Sequence, residues 1–132
     1  MARKFYKKYL NKKVFVDGMT FDSIHEYRRY LDLKEMEENG EITDLQRQVK
    51  FVLIPKQVEI IERYHKKTGA RLKDHEKVLE QECSYVADFV YYNQDGEMIV
   101  EDTKGLPTPD YIIKRKLMLF LRNIRIREIK VR

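Results

Sequence analysis

Three side chains in one part of the sequence have the types and spacing to act together on a phosphate ester. Asp102-Thr103-Lys104 lies in a stretch that reads as a strand. Alternation along a strand puts Asp102 and Lys104 on one face and Glu101 and Thr103 on the other. Upstream, Asp88 interrupts an apolar run of Tyr85, Val86, Ala87, Phe89 and Val90, and carboxylates seldom enter such runs without a task. Two carboxylates offer hard oxygen ligands and negative charge, which favour magnesium or manganese over zinc. A cation held there polarises a phosphoryl oxygen and lowers the pKa of its water. A lysine on the same face can orient or deprotonate the nucleophilic water, or neutralise charge building on the phosphate. Asp-x-Lys alone is equally the pattern of a surface ion pair, so the weight falls on Asp88.

Whether Asp88 joins Asp102 depends on the turn between two strands, 85–92 and 97–104. With Asp95-Gly96 as a two-residue loop, Asp88 lies opposite Thr103 and shares a face with Glu101. With Gln94-Asp95-Gly96 as a three-residue loop and Gly96 left-handed, Asn93 pairs with Glu97 and Asp88 lies opposite Asp102. Glycine at the last position is what three-residue hairpin loops favour. Opposed residues then have Cβ atoms roughly 4.5–5.5 Å apart, close enough that two ionised carboxylates repel unless a cation sits between them.

The elements that must hold this hairpin follow from local signals. Val14 to Phe21 forms a small hairpin turning at Asp17-Gly18. A helix runs from about Ser23 to Asn39, capped by Asp22 or Ser23 and closed by Gly40, with Ile24, Tyr27, Leu31 and Tyr30 as its buried stripe. Gln48 to Ile54 reads as a strand stopped by Pro55. Residues 56–77 are ambiguous between strand and short helix and read best as an extended hairpin excursion that touches substrate. A second helix is expected from about Asp110 to Arg122, burying Ile113, Leu117 and Phe120, with Lys114 and Lys116 flanking the stripe and Arg115 and Arg122 pointing away. Arg125 to Val131 alternates as a last strand. The order predicts a mixed α/β domain with a central sheet. Residues 1–13 read as a flexible basic arm and 14–132 as a single domain.

Composition narrows the function classes. The 132 residues suit one domain, and no apolar run approaches the roughly 20 residues of a membrane span. The N-terminus lacks the apolar region of a secretory signal, and Cys83, the single cysteine, has no partner for an internal disulfide. A cytoplasmic setting is the expectation. Net charge is +5, but residues 1–13 carry +6 and residues 114–132 carry +7, which leaves −8 for residues 14–113. A basic periphery around an acidic middle suits a protein that grips a polyanion and holds divalent cations. Lys7, Lys8, Lys12 and Lys13 in the arm are candidate phosphate contacts, as are Lys114, Arg115 and Lys116 in the second helix. Phe5, Tyr6 and Tyr9 among the arm's lysines are candidates for base stacking.

Asp88 followed by Asp102-x-Lys104 on the next strand resembles the core motif of the PD-(D/E)XK nuclease superfamily. More narrowly, the chain resembles small phage-encoded nucleases catalogued as a domain of unknown function. The stretches that carry the likeness are Phe21-Asp22-Ser23 with Glu26, Gln48-x-x-Phe51, Tyr85 to Phe89, Glu101 to Gly105, and Tyr111 to Leu117. Ala87 stands where the superfamily's motif begins with proline. The resemblance implies a restriction-endonuclease-like α/β fold, a mixed central sheet flanked by helices. It implies that Asp88 and Asp102 ligate the metal together with the Thr103 carbonyl, that Lys104 is the catalytic lysine, and that Glu26 and Gln48 belong to the site. The implied activity is magnesium-dependent, with manganese as a substitute: hydrolysis of DNA phosphodiesters, acting on branched or recombination intermediates such as four-way junctions. A homodimer would place two sites on two strands. Both supporting residues have plainer readings, since Ser23-x-x-Glu26 is a capping box and Gln48 could belong to a polar edge strand. The rival expectation for the whole chain is a non-catalytic nucleic-acid-binding protein that retains the nuclease fold.

Overall fold

The computed structural model describes residues 12–130. The greater part of the basic arm, including Lys7 and Lys8 and the aromatic residues beside them, lies outside the described residues. In chain order the elements are β1 (Val14–Val16), β2 (Met19–Phe21), α1 (Ile24–Glu38), β3 (Thr43–Ile54), β4 (Gln57–Tyr64), β5 (Arg71–Glu80), β6 (Cys83–Tyr92), β7 (Met98–Lys104), α2 (Pro109–Arg122) and β8 (Arg127–Lys130). The fold class is mixed α/β, with a four-stranded sheet in the order β3-β6-β7-β8 and, among the described residues, two helices. Strands β6 and β7 are antiparallel and β7 and β8 parallel, and α2 provides the long crossover a parallel pair requires. Lys50–Tyr85 forms one compact unit and the rest of the described chain another.

Local chemistry explains the boundaries in the larger unit. Asp17 and Gly18 both take positive φ (51° and 76°) and join β1 to β2 with Val16 opposite Met19, the geometry a two-residue hairpin turn demands. Helix α1 starts where the Ser23 hydroxyl accepts the Glu26 backbone N–H at 3.2 Å and ends at Asn39. Gly40 follows with φ 77°, in the left-handed conformation that closes helices. The helix buries Leu33, which with Ile42, Phe89 and Tyr91 forms a core edged by Tyr30, Met36, Leu45 and Ile99. Ile24 and Leu31, expected inside, are 40% and 48% exposed.

The two faces of β6 and β7 serve different ends. Phe89 pairs with Glu101 and Tyr91 with Ile99, so these four share the face that α1 covers. Val90 and Val100, paired to each other, are buried on the opposite face. Helix α2 begins at an N-cap, Thr108, whose side chain accepts the Tyr111 N–H, and it ends at Asn123 in the left-handed conformation. Its buried residues are Tyr111 and Met118, whereas Ile113 and Phe120, expected to be buried, are 59% and 85% exposed. Two of the three residues of the predicted apolar stripe therefore lie on the outer side, and Leu117 is half-buried. Tyr111 and Met118 lie seven positions apart, two helical turns, and form the inner one.

The smaller unit is built on the β4–β5 ribbon, in which Tyr64 pairs with Arg71 and Ile60 with Glu76, with register shifts between Gln57 and Val58 and between Ile61 and Arg63. The ambiguous segment 56–77 is thus a hairpin. At its base Phe51 stacks on Tyr85, ring centroids 6.4 Å apart, and Lys50 pairs with Glu82 at 2.8 Å.

Candidate active site

The turn between β6 and β7 takes the three-residue form. The Gly96 N–H donates to the Asn93 carbonyl, the Asn93 N–H donates to the Glu97 carbonyl, and Gly96 has φ 78°. The ladder runs from Tyr92–Met98 to Phe89–Glu101. One step further in the same register, Asp88 faces Asp102. There the ladder gives way to a side chain, because the Thr103 N–H donates to Asp88 Oδ2 at 2.8 Å. Asp88 thereby does two things at once: it caps a strand amide and presses its carboxyl against that of Asp102.

The electrostatics of this pair are unfavourable as it stands. Asp102 is 3% exposed. Burial, and next the charge of Asp102, push the Asp88 carboxyl up to about 8, despite the opposing help of the Thr103 N–H. A hydrogen bond between the two carboxyls contributes in the same direction. Two carboxyls in such contact must share a proton or a cation. Lys104 Nζ lies 3.5 Å from Asp102 Oδ1 and 4.5 Å from the centroid of the Tyr111 ring, so its ammonium is held between a carboxylate and a π face.

Glu26 and Gln48 complete the cluster. Glu26, 2% exposed, accepts the Asp22 N–H on Oε2 at 3.1 Å and the Gln48 amide on Oε1 at 3.0 Å. It thus both caps and lines the concavity, with the capping bond one residue earlier than the Ser23 amide of the expected box. Burial is the main reason its carboxyl is raised above the usual carboxylate range. Gln48 Nε2 stands 3.5 Å from Asp88 Oδ1 and so bridges the two carboxyl groups. Its backbone has φ 52° inside β3, a left-handed conformation that costs a residue with a Cβ on the order of 1 kcal/mol and recurs at functional sites.

Asp22, His25, Glu26, Asp88, Asp102 and Lys104 line one concavity of about 640 Å³, with Thr103 also on its wall. Among the described residues, no three His, Cys, Asp or Glu side chains are gathered as a metal cage. Two opposed carboxyls are present, and their mutual repulsion is itself the observation that suits a divalent cation, so the oxygen donors fit magnesium or manganese.

The expected phosphate contacts are distributed differently. Lys12, Lys13 and Lys116 are exposed and Lys114 is half-buried. Arg115 does not point away: it pairs with Glu128 at 3.0 Å, 5.8 Å from the Tyr111 centroid. None of these residues lines the concavity. Tyr111, the platform under Lys104, donates its hydroxyl to Glu128 at 2.7 Å. It was legible only as part of a stretch, since nothing in its spacing distinguishes it. Arg47 was missed as well. It lies 4.0 Å from Glu26 Oε1, stacks 4.0 Å from the Phe21 centroid and donates to the Thr20 carbonyl at 2.8 Å.

No curated protein and no solved structure matches this chain. Over residues 6–132 it matches the family described as "Protein of unknown function (DUF1064)". With nearly the whole chain covered, the protein belongs to the DUF1064 family.

Proposed function

We propose that the protein is a metal-dependent DNA endonuclease of the PD-(D/E)XK type. The observation that carries this reading is that the Asp88 and Asp102 carboxyls meet just past the Phe89–Glu101 pair that ends the β6–β7 ladder, with Lys104 3.5 Å from Asp102. Asp88 and Asp102 would hold a magnesium or manganese ion, which when bound supplies Lewis acidity toward a phosphodiester. The chain's own residues do the rest. The Lys104 ammonium, pinned by Asp102 and the Tyr111 ring, sits where it can orient the attacking water and offset charge on the phosphate. Gln48 ties Glu26 to Asp88 through one amide group, which restricts the rotamers of both carboxyls. Glu26 adds a third carboxyl at the edge of the cluster. In the reaction a water oxygen bonds to phosphorus, one ester P–O bond breaks, and the departing oxygen takes a proton. Lys12, Lys13, Lys114 and Lys116, with Lys7 and Lys8 of the arm, would grip the backbone. A homodimer acting on branched DNA such as a four-way junction is the form of this proposal that two sites on two strands favour.

The test is cleavage of supercoiled plasmid and synthetic four-way junctions with magnesium or EDTA. Cleavage with magnesium, absent in EDTA and lost in Asp102→Ala and Lys104→Ala, supports the proposal. Cleavage that persists unchanged in those variants defeats it. A wild-type protein that binds DNA without cutting any substrate would leave the non-catalytic binding protein as the better reading.

A further inference from the structure

We infer that the tip of the β4–β5 ribbon is a second DNA-binding element, one that enters a duplex groove and contacts phosphates. The choice of DNA as the ligand rests on the nuclease reading. The surface itself is defined by charge and geometry.

Residues 63–73 contain Arg63, Lys66, Lys67, Arg71 and Lys73 and no acid, whereas 57–62 and 74–80 each carry a net −2. The tip is thus a cationic island within the acidic middle of the chain. Charges that merely keep a ribbon soluble are interspersed by sign. That pattern is found lower in this ribbon, where Glu59 lies opposite Lys77 and Lys56 reaches Glu76 at 3.9 Å. At the tip only Arg71 is matched, by Asp74 at 3.2 Å and Glu62 at 3.8 Å. Among the described residues, Arg63, Lys66, Lys67 and Lys73 have no ion-pair partner.

The tip is also built to hold these cations in place. His65 Nδ1 accepts the backbone N–H groups of Lys67 and Thr68 at 3.2 and 3.3 Å. The His65 N–H donates to the Ala70 carbonyl at 2.8 Å, and Gly69, with φ 70°, donates back to the His65 carbonyl at 2.9 Å. The two lysines are therefore presented on a hydrogen-bonded turn. Arg63, Tyr64, His65, Lys66, Lys67 and Leu72 line a concavity of about 710 Å³. All of β5 is exposed and in β4 only Val58 is half-buried. A ribbon open on both faces gains little from burial and is marginal without a partner. Two strands spaced about 4.8 Å apart fit the major groove, which is about 12 Å wide and admits a two-stranded ribbon.

The test is anisotropy of a fluorescent duplex across a salt series in EDTA, so that cleavage cannot intervene. The combined variant Arg63→Ala, Lys66→Ala, Lys67→Ala, Lys73→Ala should bind about 30-fold more weakly or worse, with a salt slope shallower by about 3.6. Lys66→Ala and Lys67→Ala singly should each lower the slope by about one, and they decide the matter if the combined variant fails to melt cooperatively. The control Glu59→Gln with Lys77→Gln should stay within about twofold of wild type. Unchanged slopes in all the tip variants overturn the inference, as does a wild-type protein that binds anionic vesicles but no duplex. Parallel cleavage assays separate the two proposals. Tip-dependent binding without cleavage removes the nuclease reading and keeps this one, whereas cleavage with tip-independent binding does the reverse.

Discussion

Glu101 and Asp102 are consecutive, both buried, and project from opposite faces of β7. Glu101 receives a fork from Arg29, Nε to Oε1 at 2.8 Å and an Nη to Oε2 at 2.7 Å, and a further bond from the Tyr91 hydroxyl. Arg127 reaches that hydroxyl at 3.3 Å. Burial, reinforced by Glu101, pushes the Tyr91 hydroxyl up to about 12, so it stays a donor. Asp102 instead faces another carboxyl, and Lys104 pairs with it at 3.5 Å. A buried carboxylate surrounded by donors is a structural tie. A buried carboxylate set against a second one must share a proton or a cation with it, and that difference separates the scaffold from the proposed site.

Several substitutions would sharpen or break this contrast. The largest effect is expected for Asp102→Asn, which should lower magnesium-dependent cleavage about 1,000-fold or more, equivalent to about 4 kcal/mol in the barrier, while the melting temperature holds or rises. A stable variant that cuts normally would break the distinction. Glu101→Gln should show the opposite phenotype. It weakens a buried ion pair and should cost about 3 kcal/mol of stability in denaturant titration, with cleavage per folded molecule intact.

Next is the pH dependence in the absence of divalent ions. The Asp88 carboxyl is raised in the folded state, so its contribution is fully present below the unfolded value near 4 and is lost as pH rises through about 8. Asp88→Asn should therefore melt about 5 °C above wild type at pH 9 and lose that advantage by pH 4. Magnesium should stabilise wild type more at pH 9 than at pH 5. A wild-type stability that climbs between pH 5 and 9 in the Asp88→Asn comparison would contradict the repulsion assigned to the pair. The smallest effect is expected for Gln48→Gly. Relief of the left-handed backbone should add about 0.5 kcal/mol in chemical denaturation, while loss of the bridging amide slows cleavage about tenfold. Equal stability and equal rate would mean that the amide positions nothing.

Much of this contrast was legible before any tertiary contact. Strand alternation alone puts Glu101 and Asp102 on opposite faces, and Gly96 at the end of its loop favours the register that sets Asp88 against Asp102. Asp17-Gly18, Ser23 and Gly40 mark their turns and helix ends through backbone preferences that act over a few residues.

What only the folded chain decided involves partners far apart in sequence. Arg29 and Glu101 are 72 positions apart, and nothing local assigns one to the other. The Gln48 kink contradicts its residue type, which carries no preference for positive φ. In α2 the sequence offers an apolar stripe through Ile113, Leu117 and Phe120, yet the helix turns Tyr111 and Met118 inward. There Tyr111 meets Lys104 and Glu128, whose polar groups a purely aliphatic stripe could not satisfy. Local sequence determined which way each side chain projects from its own strand or helix, because that follows from backbone geometry. The tertiary structure decided what each one meets, because desolvation and pairing depend on groups brought together only by folding.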